Sequence, residues 1–181
     1  MLRILTVVLA VLLAKAGDAA PAGAPAPLTK EHAHAVMTSP TRHVRGVDKR
    51  MRQAVEEGLR RSGTFASLVL ALDRTDVIVY IETAQGLPSH LSGRMLLAAG
   101  PEGLRYLRIQ VAADPDVIEL IALVGHELQH ALEVANAPSV RDQKSLAALY
   151  EAIGHTGTRV HYYDTAAAQD AGRRVRTELR G

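Results

Sequence analysis

The stretch Val124-Gly125-His126-Glu127-Leu128-Gln129-His130-Ala131-Leu132 sets two histidines and a glutamate inside an apolar run that begins near Val117. No proline falls between Pro115 and Pro138, so one long helix can carry it. On a helix, residues four apart share a face, about 5.4 Å apart along the axis. His126 and His130 therefore aim two imidazole nitrogens at one point, as a zinc ion requires. Glu127 follows about 100° round the helix, beside that point but off the histidine face. That position suits work on a zinc-bound water better than ligation. In an apolar segment all three side chains carry a desolvation cost unless something binds them.

The third ligand has to come from elsewhere, and composition limits the choice. The chain has no cysteine, which removes thiolate ligands, a cysteine nucleophile and any disulfide framework. Ligands must be His, Asp or Glu. Two other histidines, His32 and His34, form an H-x-H pair in a polar region near the start and read as solvated. The 181 residues are 48% hydrophobic but hold one Phe, five Tyr and no Trp, so Leu, Val, Ile and Ala must build the core. A net charge of +2 with Arg and Glu intermixed argues against a nucleic-acid partner, which would call for a concentrated basic patch.

The first 20 residues read as a secretory signal peptide: Arg3, then an apolar run from Ile4 to Ala14, then small residues offering cleavage after Ala16 or Ala19. That run of 11 is too short to span a bilayer as a helix, and the membrane would be touched only if the segment stayed uncleaved. A secreted or periplasmic protein is expected. Residues 21–40 begin with an Ala/Pro/Gly stretch and read as a flexible linker. Residues 41–181 are expected to form one domain.

Within it, Val47, Met51, Val55 and Leu59 recur at four-residue spacing and predict an amphipathic helix over Val47–Arg61. Ser62-Gly63 ends it, and a short helix capped by Thr64 runs to Leu72. The period then changes. Val77–Ile81, Arg94–Ala99 and Tyr106–Val111 read as strands, the last two joined by a Gly100-Pro101-Glu102-Gly103 turn. The motif helix follows from Val117 to about Ala135, with Pro115 suited to its first turn and Asn136-Ala137-Pro138 stopping it. A short helix over Gln143–Ile153, an irregular loop to Tyr163 and a last helix from Thr165, capped by Asp164, complete the chain. The fold class is α+β: a small, at least partly antiparallel sheet beside the motif helix, with flanking N- and C-terminal helices.

The His126-Glu127-x-x-His130 pattern, the export signal and the sheet-then-helix order resemble the zincin metallopeptidases, over about 20 residues around the motif and in coarse element order. The resemblance implies a zinc-dependent peptidase acting on peptide or protein, with Glu127 as general base. It also implies a sheet whose edge strand aligns an extended substrate. A metzincin pattern is excluded, because it needs Gly and His where Glu133 and Asn136 stand. A gluzincin-like pattern takes a carboxylate from a later helix. Asp164, 34 residues beyond His130, is the favoured candidate, and Glu151, 21 residues beyond, is the alternative, with His155 and His161 behind them. An Asp ligand resembles the aspzincins, but their Gly-Thr-x-x-Asp signature is absent: after Gly157-Thr158 come Arg159, Val160 and His161. Glu133 returns to the histidine face as either a partner of the ligands or a surface ion-pair residue. Tyr162, Tyr163 or His161 could stabilise a developing oxyanion. The competing reading is an exported, non-catalytic domain in which the same helix holds a structural zinc or no metal.

Overall fold

The structure, a computed structural model, describes residues 43–84, 86–87, 92–98, 100, 103–113, 115–156 and 163–181. The signal segment 1–20, the linker 21–40, His32, His34, His161 and Tyr162 lie outside them, as do Pro101 and Glu102 of the hairpin turn. Of His155 and Tyr163 only the backbone is described.

Strand β1 (Val44–Gly46) leads into helix α1 (Lys49–Arg61), then α2 (Gly63–Leu72), β2 (Val77–Thr83), β3 (Gly93–Ala98) and β4 (Arg105–Val111). The motif helix α3 (Val117–Ala135), α4 (Gln143–Ile153), the short strands β5 (His155–Thr156) and β6 (Tyr163–Asp164), and α5 (Ala166–Arg180) follow. The main sheet has the order β1-β2-β4-β3, with β1 and β4 parallel to β2 and only the β3–β4 hairpin antiparallel. The expected α+β class is what the structure shows.

Side chains alternate across the pleat. Val77, Val79, Ile81, Met95, Leu107, Ile109 and Val111 are buried on one face of the sheet, which packs against the helices. The other face carries Tyr80 and Tyr106, stacked 6.3 Å apart, with the Arg45 guanidinium over the Tyr80 ring. The motif helix is buried all round from Leu120 to Val134, the pattern of a central core helix. Among the described residues, no helix is long and apolar enough to cross a membrane.

The ends of elements depart from expectation for identifiable reasons. Val47 lies outside α1 and is half exposed, because Asp48 caps the helix by accepting from the Met51 N–H. The other Asp48 oxygen accepts from the Thr83 N–H, pinning α1 to β2. Ser62, not Thr64, caps α2: it ends α1 and accepts from the Phe65 N–H, so the two helices share one residue. The Glu178 carboxylate then accepts from the hydroxyls of Ser62 and Thr64 and from the Thr64 N–H, tying α5 to this corner. Asp116 caps α3 by accepting from the Glu119 N–H, so Pro115 precedes the helix and does not enter its first turn. Thr165, not Asp164, caps α5 through the Ala168 N–H. The segment expected to be an irregular loop contains the β5–β6 pair at both ends.

Arg105, 4% exposed, closes the far end of the motif helix. Its guanidinium donates to the carbonyls of Val134, Ala135 and Ala137 at 2.6–2.9 Å and pairs with both oxygens of Asp76. It thereby satisfies the last carbonyls of α3 and fixes that helix to the start of β4. Truncating Arg105 strips these carbonyls of their donor, whereas Asp76, part exposed, keeps Arg141. Arg105→Ala is expected to destabilise the fold by about 1–3 kcal/mol, read as a lowered midpoint of urea unfolding.

Candidate metal centre

Helix α3 offers two sides to two neighbours. On one side it meets α5 at very close range, and two glycines allow this. A Cβ on Gly125 would lie 2.9 Å from the Val175 side chain, and one on Gly172 would lie 3.3 Å from both the Ala122 carbonyl and His126 Cβ. This packing brings the residues preceding α5 onto the histidine face. About 100° round the helix, Glu127 points at the sheet, where a Cβ on Gly93 would lie 2.7 Å from its Oε1.

Three ligand atoms converge there: His126, His130 and Asp164. The two Nε2 atoms are 3.2 Å apart, and Asp164 Oδ1 lies 3.4 Å from His126 Nε2 and 3.6 Å from His130 Nε2. Both histidines are buried and Asp164 is mostly so. This group can hold a metal ion. Glu151, the alternative ligand, is not in it, and neither is Glu127. His161 and Tyr162 lie outside the described residues.

Each ligand has a supporting partner. His130 Nδ1 is 2.8 Å from Glu133 Oε2, and Glu133 Oε1 accepts from the Thr165 hydroxyl at 2.6 Å. The Tyr150 hydroxyl donates to the His130 carbonyl at 3.0 Å, and its ring meets the His130 ring edge-on. A hydrogen bond to the Ala168 backbone supports the His126 ring. Asp164 accepts from the Thr165 N–H through Oδ1 and from the Gln169 side chain through Oδ2. Glu133 is thus buried behind a ligand and is no surface ion-pair residue. Carboxylates in this position fix the ring orientation of a ligating histidine and raise its basicity. The helix period could place Glu133 on the histidine face. Its pairing with Thr165, 32 residues on, had no signal in the sequence. Gly93 and Tyr150 were likewise not singled out.

The electrostatics follow from burial. Burial and the neighbouring His130 hold His126 well below the ordinary histidine range. Burial opposes charge on His130 too, but Asp164 and Glu133 outweigh it and lift that ring. For Asp164 the order is similar: burial raises it, and the His130 and His126 rings more than reverse this. Glu127 is completely buried, and neither carboxylate oxygen has a hydrogen-bond partner. Burial lifts its pKa to about 7, against a smaller opposing pull from His130.

Compared with protein-family models, with curated proteins and with solved structures, the chain has no match. The reading of this site therefore rests on its own chemistry.

Two outcomes follow. Glu133→Gln, which keeps the shape but removes the charge behind His130, is expected to weaken metal affinity about 10–100-fold in a competition titration against a chelator. The second concerns the chelated protein. The Glu127 carboxyl has a raised folded pKa, so it favours folding when protonated and opposes folding as pH rises from 4.5 to about 7. Chelated Glu127→Gln should therefore melt above chelated wild type at about pH 8, and the gap should close by about pH 4. An equal gap at both pH values would contradict that sign.

Proposed function

We infer that this protein is an exported zinc-dependent peptidase. The observation that carries the reading is the triangle of His126 Nε2, His130 Nε2 and Asp164 Oδ1, with sides of 3.2, 3.4 and 3.6 Å, beside an unpartnered Glu127. Tetrahedral zinc with bonds of about 2.0–2.1 Å separates its ligand atoms by about 3.3–3.4 Å, which matches the triangle. Calcium and magnesium favour oxygen donors, so two imidazoles and one carboxylate point to a transition metal. Among the described residues the group has three ligands, the number that leaves a fourth position in catalytic zinc sites.

His126, His130 and Asp164 would hold the ion. When bound, zinc would supply Lewis acidity toward a carbonyl and acidify a coordinated water. The chain's own contribution is then clear. Glu127, buried and unpartnered on the helix beside the histidines, would serve as general base toward the attacking water and return the proton to the leaving amine. Burial raises its proton affinity, and a dication bound at the histidines would pull it back down. Glu133 holds the His130 ring in position, and Gly93 keeps the space beside the Glu127 carboxylate free of a side chain. Tyr163, Tyr162 and His161 keep their place as candidate oxyanion donors from sequence alone.

The near-complete burial of both histidines and Glu127 favours a second reading, a structural zinc in a non-catalytic domain. The two readings part on one measurement. Glu127→Gln should retain one zinc per chain and lose at least about 10³-fold in hydrolysis of a peptide mixture, whereas Asp164→Ala should lose the zinc itself. Hydrolysis undiminished in Glu127→Gln, or none by the zinc-loaded wild type, would remove the peptidase reading. Zinc retained in Asp164→Ala would remove the assignment of the third ligand.

A further inference from the structure

Helix α4 reaches the metal centre through one side chain. Leu146, Ala147 and Tyr150 are its buried residues, on one face at helical spacing. Gln143, its first residue, donates to the Leu97 carbonyl at 2.8 Å and holds that end to β3. The other end meets α3. Tyr150 is 2% exposed, and its hydroxyl donates to the His130 carbonyl at 3.0 Å. Its ring stands edge-on to the His130 imidazole, with centroids 5.2 Å apart and planes at 82°. Burial, and then the Glu133 and Glu127 carboxylates nearby, push the hydroxyl's pKa well above the ordinary tyrosine range, so it stays a donor.

These contacts converge on a single ligand. A helix carbonyl has two lone pairs and the backbone ladder uses one, so the Tyr150 hydroxyl takes the other. The hydroxyl fixes the His130 backbone, the ring limits the swing of the imidazole, and Glu133 holds Nδ1 at 2.8 Å. Nε2 is left to face His126 and Asp164. The same stretch of chain then leads to the third ligand. The Gly154 N–H donates to the Tyr150 carbonyl at 2.9 Å, α4 ends, and β5 begins at the next residue. In the β5–β6 ladder His155 stands opposite Asp164. The short segment from Tyr150 to His155 therefore joins the contact on His130 to the backbone of Asp164.

We propose that Tyr150 is a positioning residue of the metal centre, which orients His130 directly and, through the segment leading to β5, keeps Asp164 in register with it. The proposal rests on metal binding by His126, His130 and Asp164 and not on hydrolysis. Tyr150 supplies no ligand atom and acts only through the residues it holds. A ligand set ordered before the ion arrives loses less freedom on binding it, so the arrangement favours tight binding and one fixed geometry. Removing the Tyr150 contacts leaves all three ligands in the chain but lets two of them move independently. Affinity and coordination geometry should therefore change together, without loss of metal stoichiometry.

The test compares wild type, Tyr150→Phe, Tyr150→Leu and Leu146→Ala. Three quantities are measured: zinc affinity by competition against a chelator, the visible spectrum of the cobalt-loaded protein, and the midpoint of urea unfolding. Leu146 lies one turn before Tyr150 on the same buried face and controls for a merely loosened helix. Tyr150→Phe, which loses one hydrogen bond, should raise the zinc Kd about fivefold. Tyr150→Leu, which loses the ring contact as well, should raise it about 10–100-fold and shift the cobalt bands. Leu146→Ala should lower the unfolding midpoint and leave both metal readouts as in wild type. Metal readouts unchanged in both Tyr150 variants overturn the proposal, as does Leu146→Ala moving them as far as Tyr150→Leu. If Tyr150→Leu does not fold, Tyr150→Phe decides alone. A wild type that binds neither zinc nor cobalt removes the metal reading and the proposal with it.

Discussion

The close crossing of α3 and α5 is the contact on which the rest of the centre depends. A helix buried on every side cannot carry His126, Glu127, His130 and Glu133 without partners for them, because each unpaired polar group in a dry interior costs several kcal/mol. The partners come from the chain entering α5. Asp164 reaches both histidines, Thr165 hydrogen-bonds Glu133, and the Ala168 backbone supports the His126 ring. Gly125 and Gly172 ease this approach, since a Cβ at either would press on Val175 or on the Ala122 carbonyl and His126 at 2.9–3.3 Å. The far end of α5 is tied down independently. Arg176 and Arg180 pair with Glu119 at the start of α3, and Glu178 binds the Ser62–Thr64 corner. Anchored at both ends, α5 has little freedom to withdraw Asp164.

Much of this was legible in the sequence where one signal dominated. The bounds of the motif helix and of α4 follow from apolar periodicity between strong stop signals, and the structure gives Val117–Ala135 and Gln143–Ile153. The β3–β4 hairpin is legible for the same reason, two alternating segments around a Gly-Pro turn. What escaped is set by long-range pairing. Three residues of β1 carry no strand period of their own and become a strand by lying parallel to β2. The parallel β2–β4 pairing depends on how distant segments pack, which local propensity does not encode.

Within the site, the decisive detail was a single position. Asp164 and Thr165 are both good helix caps, and sequence gives no rule for choosing between neighbours. The structure assigns the cap to Thr165, whose hydroxyl accepts from the Ala168 N–H and donates to Glu133. One hydroxyl can do both because it is donor and acceptor at once, whereas a carboxylate can only accept. Capping by Thr165 leaves the Asp164 carboxylate free to face the histidines. The common structural role and the rarer ligand role therefore fall on adjacent residues and do not compete.

The same helix also separates two kinds of chemistry by angle. His126 and His130 face α5, where carboxylates and backbone groups surround them. Glu127, about 100° away, faces β3, where among the described residues it meets no donor at all. On the peptidase reading that asymmetry has a use: ligands held by paired groups, and a carboxylate left unpaired so that burial keeps its proton affinity high. A donor opposite Glu127 would make the fold more comfortable and lower its pKa, weakening it as a base. Gly93 keeps that side open, since any side chain there would occupy the carboxylate's place. On the peptidase reading, a change at Gly93 would therefore crowd the general base itself.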